Sequence, residues 1–409
     1  MINIIDKRDC CGCTACKSIC PKYCIRMESD SEGFLYPHVD ITTCINCGLC
    51  EKVCPVLHPF AAKTQEPIPY ACKSLNNELI LKSSSGGLFS VISKTVLSKD
   101  GVVFGAAFDS NWGVHHISVD NYEAIAPLRE SKYTQSDLGD SFNEIKSLLS
   151  AGKQVLFTGT PCQVAGLNHF LEKDHHKDNL ITIDVICHSC PSPTVWKEYL
   201  SYIERKNGNR KVSSVSFRDK EFRGWVQYSL RISIRDEMNC KEKVVVRQTS
   251  QANLYMQGFL NDLYCRPSCS DCPARNYKSG SDITLGDCWG VDKYYDDVDD
   301  GKGLSVALLN TKKGEEVFES IKDKIFYFLM KYPEVEPTAL HAPLTKNTGP
   351  HPLRSVFFSL KDKVPINILI YSCLTPVKIW RTFLSFTKRS TRKIIGKSNY
   401  DHIKNKIRR

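Results

Sequence analysis

The chain has 409 residues, 42% of them hydrophobic, with 20 cysteines and a formal net charge of +10. That length supports a small module plus one large or two medium domains with cores of their own, so the cysteines are not needed as staples. The start MINIIDKRDCC shows no basic region, apolar stretch or cleavage site, so the cysteines read as cytosolic thiols, and clustered cytosolic thiols point to metal.

No apolar run reaches the roughly 20 residues of a membrane-spanning helix, so a cytoplasmic chain, soluble or peripheral at the inner face of the membrane, is expected. The positive charge concentrates beyond Arg354, where Lys378, Arg381, Lys388, Arg389, Arg392 and Lys393 face only Asp362 and Asp401. That run lacks a recognised binding module, and no nucleic acid is expected. Its mixture of apolar blocks and cations is the composition of a segment lying against an anionic membrane, with partner binding or plain solvation equally open. Removing the residues beyond about 355 is expected to leave the metal sites intact.

The head carries one spacing twice: Cys10, Cys13, Cys16 and Cys20 before Pro21, then Cys44, Cys47, Cys50 and Cys54 before Pro55. Three thiolates two residues apart wrap one face of a cubane, and the CysPro cysteine serves the other cluster in two-cluster ferredoxins. The assignment is Cys10, Cys13, Cys16 and Cys54 to one 4Fe-4S cluster, and Cys44, Cys47, Cys50 and Cys20 to the second. Zinc sites usually pair two CxxC units, which this repeat does not. Cys11 and Cys24 fall outside the spacing and read as packed thiols. Residues 1–60 are thus expected to be a ferredoxin fold appended to the rest, with a core too small to stand without its clusters.

A proline-marked linker (Pro59, Pro67, Pro69) leads to the body, divided here into residues 68–150 and 151–350, with a basic tail over 351–409. KQVLFTG, then QVAGLNHFLEK, then LITIDVIC read as strand, helix and strand, a crossover that places two parallel strands with their carboxyl ends on one edge. VSSVSFRD, YSLRISIRD and EKVVVRQT alternate as antiparallel strands do. The expected class is α+β: a bacterial-type ferredoxin fold followed by an α/β body with a mixed sheet.

Cys162 follows the first crossover strand, Cys187 ends the second, and RPSCSDCP adds Cys269 and Cys272. Those four thiols suit a third 4Fe-4S site, and four separate buried thiols are the plain alternative. From about Tyr70 to residue 330, SSSGGLFS, SKYTQSDLGD, LFTGTPCQVAGL, DVICHSCPSPTVW, RPSCSDCP and SDITLGDCWG together resemble the coenzyme F420 hydrogenase/dehydrogenase beta subunit family. The resemblance implies an FAD- and iron-sulfur-dependent oxidoreductase exchanging electrons with a two-electron carrier, such as a deazaflavin or nicotinamide, or with a donor protein. It also implies that Cys162, Cys187, Cys269 and Cys272 are ligands. Cys190, Cys265 and Cys288 depart from the family pattern, and each is an alternative ligand.

For the flavin, Ser84, Ser85, Gly86 and Gly87 offer donors and close backbone approach to a pyrophosphate, while a turn capping a helix is the local alternative. Lys132 and Tyr133 suit phosphate and ring, and Thr160 and Gln163 flank the strand end. His188 is the candidate proton donor. Asp287 reads as a turn residue or a cofactor-orienting one, and the pairs His115/His116 and His175/His176 read as solvated. A flavin-free relay or docking protein, serving a surface polysaccharide pathway, is the alternative function.

Overall fold

The computed structural model describes residues 1–61, 66–235, 241–296, 298–331 and 349–376. In the head, the short helices α1 (Ala15–Ser18) and α2 (Leu49–Lys52) each follow one cysteine loop. Strands β1 (Ile25–Ser29) and β2 (Leu35–Val39) form an antiparallel hairpin between them.

In the body, β3 (Ile68–Ser74), β4 (Val102–Phe108), β5 (Val114–Val119), β6 (Ser136–Asp137), β7 (Val155–Gly159), β8 (Leu180–Val185), β12 (Ile283–Asp287), β13 (Ser305–Leu309) and β14 (Ile325–Leu329) make one mixed sheet. Its order is β14-β3-β13-β12-β8-β7-β4-β5-β6. Between β8 and β12 in sequence, β9 (Val212–Asp219), β10 (Ser229–Arg235) and β11 (Glu242–Thr249) form a separate antiparallel sheet in the order β11-β10-β9. The alternation read in the sequence is therefore an antiparallel sheet of its own.

The crossover is present as expected. Strands β7 and β8 pair in parallel, Val155 opposite Leu180, joined through the helix Pro161–Phe170. Pro161 occupies the first turn of that helix, where its missing N–H costs nothing. Strands β4 and β12 run parallel to this pair, and β3 joins through β13 in the same direction. The carboxyl ends of β3, β4, β7, β8 and β12 consequently share one edge, the edge at which open α/β sheets hold ligands.

Two features differ from the sequence reading. The head is not an appendage: Cys11, Cys13, Ala15 and Val53 are buried in one core with Phe142, Phe157, Val164 and Leu167 of the body. Nor does the body end near residue 350. A helix over Arg354–Leu360 and another over 366–376 bury Phe357, Ile366, Leu369, Ile370, Cys373 and Leu374 against the helix Pro193–Lys206 and the β9–β11 sheet. Composition hides this, because cations such as Arg354 and Lys361 are interleaved with apolar residues that recur at helical spacing. Residues 377–409, with most of the basic run, lie outside the described residues.

Candidate functional site

Chain geometry gathers the head cysteines into two sets. Cys20, Cys44, Cys47 and Cys50 line one cavity of about 20 Å³ with Cys24, whose Sγ lies 3.4 Å from that of Cys20. Cys47 is exposed and Cys44 half-buried, so this set faces solvent. Cys10, Cys13, Cys16 and Cys54 lie inward. Burial pushes the Cys16 thiol above the usual thiol range, and the neighbouring Cys10 and Cys54 push it further. Sets of thiols so placed fit 4Fe-4S cubanes, whose net negative charge they share.

Beyond the inner set lies a third group. Burial raises Cys269, and Cys190, Cys187, Cys272 and Cys162 add to the rise. Cys187 responds to burial and then to Cys162, Cys190 and Cys272. Five thiols therefore converge: the four expected from sequence and Cys190, whose amide donates to Cys269 Sγ at 3.3 Å.

Pairing of Pro191 with Cys265 and the Arg266 amide bond to Cys190 O, at 2.8 Å, clamp the ICHSCP loop to the RPSCSDCP loop. Cys265 lies beside the group with its thiol held by Ser189 Oγ, at 2.9 Å, and facing Phe259 O. Cys288 lies elsewhere, buried against Met330, Trp225 and Val306. Thiols are the donor type a 4Fe-4S cluster takes, but among the described residues no group of three or more ligating side chains is closed enough to hold a metal ion. Cys11, read as a packed thiol, stands between the groups: its sulfur bonds to both Cys13 and Cys162, and the Cys11 contact followed by burial raises Cys162.

A cleft of about 330 Å³ opens near Phe108, at the carboxyl end of β4, lined by Arg129, Glu130, Ser131, Lys132, Phe217 and Arg231 among others. The volume is at the low end of the roughly 300–1,000 Å³ typical of ligand pockets. Cations and two aromatic rings suit a phosphate-bearing, ring-containing ligand. Lys132 Nζ donates to the carbonyls of Pro127, Arg129 and Glu130, and burial lowers it to about 7.

The other expected flavin residues separate. Ser84 Oγ accepts from the Ser131 amide at 2.9 Å, one contact behind the cleft. Ser85 bonds Leu304 O, and the Gly86 amide is taken by Ser305 Oγ at 2.9 Å. A Cβ at Gly86 would lie 2.6 Å from Cys72 O, so this glycine serves close packing on β3 and β13. Gly87, at φ +86°, opens the helix Leu88–Leu97. Thr160 and Gln163 cap the helix that carries Cys162, the Gln163 carbonyl accepting from the Thr160 amide at 2.9 Å. His188 lies against Asp262, 3.3 Å away, and edge-on to Phe259, outside the cleft lining.

Sequence reasoning missed Arg218. The residue is 4% exposed, and its guanidinium pairs with both Asp287 oxygens at 2.9 Å and donates to Tyr133 Oη at 3.2 Å and Ser84 O at 3.1 Å. It also lies 4.0 Å from the Tyr228 ring centroid. One buried ion pair thus ties the SSSGG, SKYT and GDCWG segments together, and Asp287 is a buried partner rather than a turn residue. His175 and His176 are exposed and His115 half-buried, but His116 is buried, with its ring nitrogens 2.8 Å from Ser136 Oγ and 3.0 Å from Thr158 O. The ring stacks on Phe157, with centroids 5.3 Å apart, which covers it.

Residues 152–334 match the family described as the C terminus of the coenzyme F420 hydrogenase/dehydrogenase beta subunit. Residues 9–57 match the 4Fe-4S dicluster domain. No curated protein matches the chain. Among solved structures, a chain of the F420-reducing [NiFe] hydrogenase complex from Methanosarcina barkeri, studied by xenon derivatization, is 16% identical over 78% of this chain and 94% of that one, with a TM-score of 0.43. Residues 152–334 are thus similar to the C-terminal part of the coenzyme F420 hydrogenase/dehydrogenase beta subunit, and residues 9–57 to a 4Fe-4S dicluster domain.

Proposed function

We propose that the chain is an iron-sulfur flavoprotein oxidoreductase exchanging electrons between a reduced two-electron carrier, deazaflavin or nicotinamide, and three 4Fe-4S clusters. The observation that carries this reading is the succession of thiol groups from the exposed Cys47, through the inner head set, across Cys11 to the five-thiol group at the sheet edge. FAD, when bound, accepts a hydride as a pair and releases electrons singly. The basic and aromatic cleft at Arg129, Lys132, Phe108 and Phe217 supports a place for it. His188, at the third thiol group, remains the proton-donor candidate.

In this reading Arg129 holds phosphate, Lys132 braces the loop through the carbonyls of Pro127, Arg129 and Glu130, Phe108 and Phe217 border the ring system, and the Arg218–Asp287 pair keeps the cleft loops in place. The exposed outer head set supports a docking place for an electron-donor carrier or protein. Thiol usage supports a reducing, cytoplasmic compartment. Among the described residues no helix is long and apolar enough to cross a membrane. Peripheral membrane contact rests on the basic run beyond residue 377.

Anaerobic purification with iron and flavin counts tests the reading: about twelve irons and one FAD are expected, with Cys162→Ser falling to about eight irons and Cys288→Ser unchanged. The closed packing around Gly86 favours a second reading, a flavin-free relay; eight irons and no flavin in the wild-type chain would establish it instead.

A further inference from the structure

The two head clusters share one ligand spacing, yet their surroundings differ through Arg266. This residue precedes Cys269 of the third thiol group by three positions and is 3% exposed. Its side chain leaves the body loop and enters the head. Nε donates to Cys10 O at 2.9 Å, and Nη2 donates to Leu35 O at 2.8 Å and to Cys10 Sγ at 3.6 Å. Nη1 reaches Gln135 Oε1 at 3.2 Å. The guanidinium lies 4.3 Å from the Tyr36 ring centroid and 5.5 Å from that of Phe34.

The oxygen acceptors of these bonds are neutral. A buried cation is costly unless an anion offsets it, and the thiols that act on this one are Cys10 foremost, with Cys190 of the third group and Cys11 after it. The room for the side chain is built in: a Cβ at Gly12 would lie 2.9 Å from Arg266 Nη1, at a φ of +73°.

We propose that Arg266 is a positioning residue of the inner head cluster, supplied by the body, that makes this cluster easier to reduce than the charge of its thiolates alone would allow. Reduction adds one electron and one negative charge to the cluster, with no bond made or broken. A fixed cation and an N–H bond to a ligating sulfur both favour the state with more negative charge. The same residue joins head to body, so the potential of the inner cluster depends on the head being seated.

This inference rests on the head holding its two clusters and is independent of flavin. The test is a redox titration of the anaerobically purified full chain, followed by electron paramagnetic resonance, for wild type, Arg266→Gln and Arg266→Lys, with iron counted in each. In Arg266→Gln the inner-cluster midpoint is expected to fall most, by at least a tenfold change in the reduction equilibrium, about 59 mV for one electron, with a smaller fall at the third group, which Arg266 faces through Cys190, the outer-cluster midpoint in place and iron retained. Arg266→Lys keeps the charge but not the planar fork, and should shift the same midpoint less. If Arg266→Gln loses iron, a shifted midpoint in Arg266→Lys supports the proposal. Unshifted midpoints, or loss of iron in both variants, overturn it. A wild-type chain without head clusters would instead sink the head assignment, which the iron count reads separately.

Discussion

Gly166 faces Cys13 across the head–body seam so closely that a Cβ added there would lie 2.7 Å from Cys13 Cβ and 2.8 Å from its Sγ. The glycine sits inside the helix Pro161–Phe170, where Ala is ordinarily favoured by about 1 kcal/mol. Here the sign reverses, because the neighbour is a cysteine that must keep its place in a thiol set. Gly166→Ala should destabilise the chain by about 1–3 kcal/mol through overpacking, and the inner head cluster should be the first to lose iron. Denaturant titration and iron counting check this. A stabilised variant with full iron would show that the seam is looser than these distances state.

The Arg218–Asp287 pair yields a second prediction. Both side chains are largely buried, at 3% and 12% exposure, and the pair holds Ser84 and Tyr133 as well. Asp287→Asn removes the charge while keeping the shape, leaving a buried guanidinium uncompensated. The expected cost is about 3–5 kcal/mol, measured by urea unfolding, with loosening of the SSSGG and SKYT loops read by limited proteolysis. A cost below about 1 kcal/mol would mean that solvent reaches Arg218.

Truncation separates the two parts of the C-terminal region. Arg354 donates to both carboxylate oxygens of Glu32 in the head and to Cys265 O beside the third thiol group. Deleting residues 351–409 removes that tie together with the buried Phe357, Ile366 and Ile370, and should yield unstable, iron-poor protein. Deleting only 377–409 should leave melting temperature and iron content unchanged, since the described core contacts end at Leu374. Sedimentation with anionic vesicles then tests membrane contact on the shorter deletion, where unchanged binding would reject a role for the basic run.

Legibility in the sequence followed distance along the chain. The head ligands were readable because a cubane demands thiols at fixed short spacing, and the β7–β8 crossover because its two strands and helix are contiguous. Arg266 and Arg218 were not readable, because the partners that define them stand 256 and 69 positions away, at Cys10 and Asp287. Cys190 looked like a departure from pattern, although the fold brings it into the third group and leaves Cys288 outside. The Ser-Gly turn shows the opposite failure. Its composition suits a phosphate, but packing against β3 and β13 explains Gly86 equally well, and no local signal distinguishes the two.

His116 gives the pH prediction. Burial lowers its pKa to about 4, against an ordinary value near 6.5, so the folded chain holds the neutral ring. Lys132 and His115 lower it further, while the bond to Thr158 O and the nearby Asp137 oppose the shift. Below pH 6.5 the unfolded chain takes up a proton that the folded chain refuses. Stability from this group is therefore complete above the unfolded pKa and is lost as the pH falls toward 4. The loss amounts to about 3 kcal/mol across that window at 1.36 kcal/mol per unit. His116→Gln keeps a polar side chain without the titration, so the stability of wild type relative to the variant should fall by about 2 kcal/mol from pH 7 to pH 4.5. Comparing the two proteins at each pH cancels any acid sensitivity of the clusters that they share. Parallel curves would mean that the folded chain protonates the ring at its ordinary pKa, with Ser136 Oγ then accepting from Nδ1.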